Sequence, residues 1–119
     1  MEYQTDRVLR LLELTGASLR LAADRFAQGA PADEMMLLAS EAIGEVVDMD
    51  SDSFVGMSPP SMVTLLDLSG LDDRLVSRVA EGLMLQAEIL QSEGDLVEAA
   101  MRREQAAAVL DSIDPSRAN

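Results

Sequence analysis

The sequence predicts an all-α protein. Apolar residues recur at spacings of three and four along most of the chain, and β-branched and aromatic residues are sparse. No stretch alternates apolar and polar residues between turn signals, so nothing reads as a strand. At 119 residues the chain is long enough to bury one real core. The expected organisation is a single helical domain over residues 1–113 and a frayed tail over 114–119.

About five helices are expected, packed as a bundle that closes with an antiparallel hairpin. The first runs from about Gln4 to Gln28, with Val8, Leu11, Leu12, Leu19, Ala22, Ala23 and Phe26 on a broad apolar face. Gly16 inside it costs about 1 kcal/mol against alanine, which a kink or the close approach of another helix would explain. Gly29 then suits a left-handed C′ position, and Pro31 the first turn of the next helix. That second helix covers Ala32 to Val47, with Met35, Leu38, Ala39, Ala42, Ile43 and Val46 as its core stripe. The turn-rich stretch "DMDSDSFVGMSPP" follows. Ser58 as N-cap and Pro59 as N1 open a short third helix that ends before Gly70. The fourth runs from Asp72 to Glu93, with Leu75, Val79, Leu83, Ala87 and Leu90 on one face and Val76, Ala80 and Met84 beside them. Gly94 ends it. Asp95 caps the fifth helix, and Glu98 is placed both to reach back as a capping box and to pair with Arg102.

Composition narrows the function. Twenty-two acids stand against nine arginines, lysine is absent, and the net charge of −13 disfavours nucleic acid and anionic membranes. Between Arg25 and Arg74 the chain has no basic residue and ten acids, which reads as a solvated acidic face. Without cysteine or histidine there is no thiolate, no disulfide, and neither the usual general base nor the commonest metal ligand. Serines such as Ser18, Ser40 and Ser77 have no histidine to activate them. The expectation is a non-enzyme without a cofactor. The start "MEYQTDRVLRLL" lacks a basic n-region followed by an apolar h-region, and no apolar run reaches a membrane span, so a cytoplasmic location is expected.

The stretch "LQSEGDLVEAAMRREQAAAVL" carries a resemblance. Gly94-Asp95, Glu98-Ala99 and Ala106, with Leu83, Ala87 and Leu90 upstream, resemble the centre of a tetratricopeptide repeat. The match covers about Leu83 to Asp111. Gln86 departs from it at a usually apolar position, Arg103 stands where a large aromatic is expected, and Asp111 replaces the closing proline. The resemblance implies a peptide-binding hairpin in which Arg102 and Arg103 meet an acidic ligand. More broadly, "EAIG", the Asp-rich turn and "SPPSMVTLLDLSGLDD" resemble small bacterial all-helical proteins with no assigned activity. That likeness spans about Glu41 to Leu110 and implies a fold alone.

Two kinds of site follow from the residues. Asp48, Asp50 and Asp52 have the 1, 3, 5 spacing of an EF-hand loop, although Ser53 replaces its glycine and Pro59 its bidentate glutamate. They are weak candidates for a divalent cation; the alternative is a loop whose aspartates bond their own backbone. The apolar faces of the first and fourth helices are wider than one small domain covers, which leaves Leu9, Leu14, Leu21 and Leu85 for a partner. Met35, Met36, Met49, Met57, Met62, Met84 and Met101 read mainly as core filling. The expectation is therefore a protein-interaction or scaffold protein that binds a protein partner or itself, with a homodimer as one outcome.

Overall fold

The computed structural model describes residues 2–113, so the tail expected at 114–119 lies outside the described residues. Among these residues it has six helices and no strand: α1 Glu2–Ala27, α2 Ala32–Val47, α3 Ser51–Val55, α4 Pro59–Ser69, α5 Asp73–Ser92 and α6 Leu96–Ile113. The all-α expectation stands. The count of five is corrected by α3, a single turn inside the Asp-rich segment.

Local chemistry sets the boundaries. Gly94 holds φ at +85°, and the turn around it donates Asp95 N–H to Leu90 O at 2.9 Å and Gly94 N–H to Gln91 O at 3.1 Å. This pair of bonds is a Schellman motif, which reverses the chain between α5 and α6 while satisfying two carbonyls that the helix end leaves free. Ser58 caps α4 by accepting the N–H of Ser61 at 3.3 Å, and Pro59 follows at N1. Asp95 accepts the N–H of Glu98 at 3.3 Å, yet the capping box is only half formed. Leu90 already takes the Asp95 N–H, and the Glu98 carboxylate turns forward to Arg102.

Helix α5 is the centre of the molecule. It packs against α1, α2 and α6, while α4 packs on α6 and α3 on α2. Ten of its residues are buried, on nearly every side; Glu81, Met84 and Glu88 keep one edge open. A helix buried this way must be apolar almost all round, which is why Leu85 and Ile89 sit inside although they lie off the expected stripe. Met84, placed beside that stripe by its spacing, is instead 39% exposed.

Two apolar clusters meet along α5. One gathers Phe54, Met62, Leu66, Val79, Leu83 and Val109 from α3, α4, α5 and α6, with Leu12 and Ile43 from α1 and α2. The other joins Leu19 and Ala22 of α1 to Met35 and Ala39 of α2 and to Leu85 and Ile89 of α5. Two glycines allow the approach. A Cβ on Gly82 would fall 2.7 Å from Ile43 Cγ1, so α5 and α2 could not keep their separation with a side chain there. Helix α1 runs unbroken through Gly16, where a Cβ would fall 2.8 Å from Arg78 Nη2. Gly16 thus makes room for a guanidinium from α5, which donates from Nε to Leu12 O at 3.3 Å.

The two glycines predict unequal costs. Gly82→Ala presses on a buried branched side chain and is expected to destabilise by about 1–3 kcal/mol. Gly16→Ala meets only the movable end of an arginine and gains helix propensity of about 1 kcal/mol, so it stays near wild type. Urea denaturation midpoints with unchanged slopes check the difference.

At the start of α5, Asp72 accepts the N–H of Arg74 at 2.9 Å and pairs with its guanidinium through both oxygens. The Arg74 side-chain hydrogen bond holds the Asp72 carboxyl below the usual carboxylate range. A carboxylate depressed on folding stabilises the native state above its unfolded pKa, and the gain is lost as pH falls through the folded value. Asp72→Ala is expected to melt below wild type at neutral pH. The gap should close in strong acid, read as Tm against pH.

Candidate functional site

The acidic segment forms a capping structure. Asp48 is the left-handed C-cap of α2, with φ at 55° and its N–H donated to Gly44 O at 2.9 Å. Asp50 caps α3, its Oδ2 accepting both the N–H and the hydroxyl of Ser53 at 3.0 Å. Asp52 lies in the first turn of α3 and is exposed. Asp48 thus closes α2 through its backbone, whereas Asp50 and Asp52 both stand at the start of α3. Among the described residues, no group of three or more carboxylates is arranged to hold a metal ion.

The arginines of the hairpin separate. Arg102 is 8% exposed and points inward: its Nε donates to Gln86 Oε1 at 3.0 Å and its Nη1 to Glu98 Oε2 at 3.1 Å. It is not available to an acidic ligand, which corrects its expected role. The cause is Gln86, whose amide sits at 1% exposure in the α2–α5–α6 junction and needs a donor. Gln86 Nε2 in turn donates to Ser40 Oγ at 2.8 Å and reaches Met36 O at 3.4 Å. Ser40, Gln86, Arg102 and Glu98 therefore form one hydrogen-bonded line across three helices. Arg103 is half-buried and donates to the Gln91 side chain, so it too is engaged within the hairpin. Leu85, expected at a partner surface, is 6% exposed because α1 and α2 cover that flank of α5; it packs with Leu19, Met35 and Ile89.

A second buried amide was not foreseen. Gln105 donates from Nε2 to Val55 O at 2.8 Å and Met57 O at 2.9 Å, pinning the end of α3 and the following loop onto α6. Its Oε1 has no protein partner. The departure of Gln86 from the repeat pattern was the sequence signal for the first amide. Gln105 had no comparable signal, because its acceptors are backbone carbonyls about fifty residues away.

A groove of about 610 Å³ lies between α1 and the open edge of α5, floored by Leu19, Ala23, Ala80 and Leu85 and flanked by Arg20 and Glu88. Arg78 and Glu81, also on its wall, pair with each other at 3.1 Å. Ser77 of α5 also lines the groove, one helical turn before Glu81, whose carboxylate is taken by Arg78.

What remains outside the two cores is apolar helix surface. Leu9 (43%), Leu14 (56%) and Leu21 (46%) of α1 are exposed as expected; Leu37 (60%) of α2 and Leu96 (63%) and Val97 (81%) of α6 are exposed too, and Met101 (37%), read as core filling, is corrected to a surface position. No helix is long and apolar enough to cross a membrane among the described residues. Compared with protein-family models, curated proteins and solved structures, the chain matches none.

The buried line predicts a specific asymmetry. Gln86→Leu takes the acceptor from Arg102 Nε–H and the donor from the Ser40 hydroxyl, leaving the guanidinium only its Glu98 pair, and is expected to cost about 2–4 kcal/mol. Gln86→Leu with Arg102→Met replaces the charge as well and should recover most of that loss. Denaturant titration of the two single variants and the double variant measures the coupling.

Proposed function

We propose that the protein is a non-catalytic interaction module that holds a protein partner, itself or another chain, through helix faces, and that it works in the cytoplasm. The observation that carries this is the pair of apolar surfaces on α1 and α6, which remain open although both internal clusters are already complete. Large exposed apolar surface on a folded chain is a common mark of protein association. The strongly acidic composition is consistent with a protein partner and opposes nucleic acid.

The hairpin of α5 and α6 is a rigid support in this reading. Its inner face is closed by the Gln86–Arg102 line, so a partner meets the outer side of α6, where Leu96, Val97 and Met101 stand. Capture from a native lysate at low and moderate salt, read by mass spectrometry, tests the reading with two surface-charged variants. Wild type is expected to retain one defined protein at both salts. Val97→Glu with Met101→Glu, or Leu14→Glu with Leu21→Glu, is expected to lose it while keeping its helical circular dichroism. Retention of nothing by wild type, together with a monomeric mass at high concentration, would remove the proposal.

A further inference from the structure

The first two helices differ in charge: α1 holds both signs and α2 only acids. Four of the nine arginines, Arg7, Arg10, Arg20 and Arg25, lie on α1 together with its exposed acids Asp6, Glu13 and Asp24, and α2 has no basic residue. None of the four takes part in the ion pairs among the described residues, which join Arg74 to Asp72, Arg78 to Glu81 and Arg102 to Glu98. The acids of α2, Asp33, Glu34, Glu41 and Glu45, are exposed and equally absent from those pairs.

Helical spacing places these groups on one surface. Leu12, Leu19 and Ala22 mark the buried side of α1, and Arg7, Leu14, Leu21 and Arg25 follow one another down the opposite side. On α2, Gln86 and Gly82 of α5 approach at Met36, Ser40 and Ile43, which leaves the flank around Leu38 and Ala42 toward α1. Glu34, Leu38, Glu41 and Glu45 share that flank at spacings of four, three and four, with exposed Leu37 beside them. The outer side of the α1–α2 hairpin therefore carries two adjacent stripes. One is arginine and leucine; the other is glutamate bordered by the exposed Leu37, with Leu38 half-buried against the second cluster.

We infer that this face is the docking surface for a second copy of the chain, related by a two-fold axis that runs along the helices. The inference rests on the interaction reading above. Such an axis lays α1 of each copy over α2 of the other, antiparallel, and makes a four-helix layer. It keeps residues at their own height, so Arg25 meets Glu34 of the other copy near the hairpin turn and Leu21 lies against Leu37. Arg7 and Arg10 approach Glu45 and Asp48 at the far end. Each copy supplies both halves of every pair. An axis across the helices would instead put α1 on α1 and α2 on α2, setting Arg10 near Arg25 and glutamate against glutamate. Charge complementarity thus selects one of the two symmetric arrangements, and the leucines supply the apolar centre.

Sedimentation equilibrium of the full chain from about 1 to 300 µM tests this, with circular dichroism to confirm folding. Wild type is expected at twice the 12.8 kDa chain mass. Leu14→Glu with Leu21→Glu should weaken the dimer about 100-fold, and Arg25→Glu or Glu34→Arg alone about 10-fold. Combining Arg25→Glu with Glu34→Arg should return the affinity to within about threefold of wild type, since the pair is restored with its sign reversed. A wild-type monomer, a dimer indifferent to the leucine pair, or charge reversals whose losses add would each overturn the inference. If the dimer survives the α1 changes and is lost with Val97→Glu, the face is wrong and the interaction reading stands. A wild-type monomer that still captures a different protein has the same consequence, whereas a monomer that captures nothing removes both.

Discussion

A glutamine in the middle of an apolar helix holds the architecture in register. Gln86 is enclosed where α2, α5 and α6 meet, and its amide has partners only if Ser40 and Arg102 stand opposite its two ends. A turn of rotation or a slip of one residue in either neighbour would bury an amide short of its partners and take the Gln86 acceptor from Arg102 Nε–H. Apolar packing alone discriminates weakly between such slips, because one leucine fills much the same space as another. The polar line is far less tolerant, since each unsatisfied buried group costs about 1–3 kcal/mol and a charged one more. Gly82 reinforces it: the backbone of α5 lies so close to Ile43 that Gln86, one turn further along, comes within reach of Ser40.

From that constraint the rest of the packing follows. With α2 and α6 fixed on two flanks of α5, α1 takes the remaining flank, where Gly16 admits the Arg78 guanidinium. α3 and α4 then close the far end of α6, Phe54 filling the interior and Gln105 tying the loop carbonyls. Arg78 and Arg102 are both committed to the inside or the wall of the molecule, and Arg74 to a helix cap. Among the described residues, the arginines of α1 are left as the principal outward positive charge.

Much of this was legible in the residues, and the exceptions share a cause. Helix α2 was read from Ala32 to Val47, which are its bounds, because Pro31, two early acids and a regular apolar stripe all point the same way. The Gly94 turn, the Ser58 cap and the open leucines of α1 were equally clear, each depending on neighbours within one or two turns. Helix α3 was missed because five residues are too few for periodicity; the local signs were Asp50 three places before Ser53 and a lone Phe54 in a polar run. Arg102 and Leu85 were assigned outward because a helix read alone shows only one buried face. Their burial depends on α5 being covered from three directions, which is a property of the assembled molecule. The spacing of Asp48, Asp50 and Asp52 suggested convergence, but two of them belong to different helix ends and the chain turns between them.

The same completeness of packing gives the exposed leucines their meaning. In a small helical protein, an apolar residue at the surface is often a core position that the fold fails to cover. Here Leu12, Leu19 and Ala22 already satisfy the inner side of α1, and Leu14 and Leu21 stand on the opposite side. Likewise Ala99, Ala106 and Val109 seat α6, while Leu96 and Val97 stay exposed and Met101 borders the loop after α3. The outer leucines therefore contribute little to folding, since burial is the source of apolar stabilisation and these side chains keep much of their contact with water. In the proposed interaction reading, a partner covers this apolar surface, which lies beside α1 arginines that form no ion pair among the described residues.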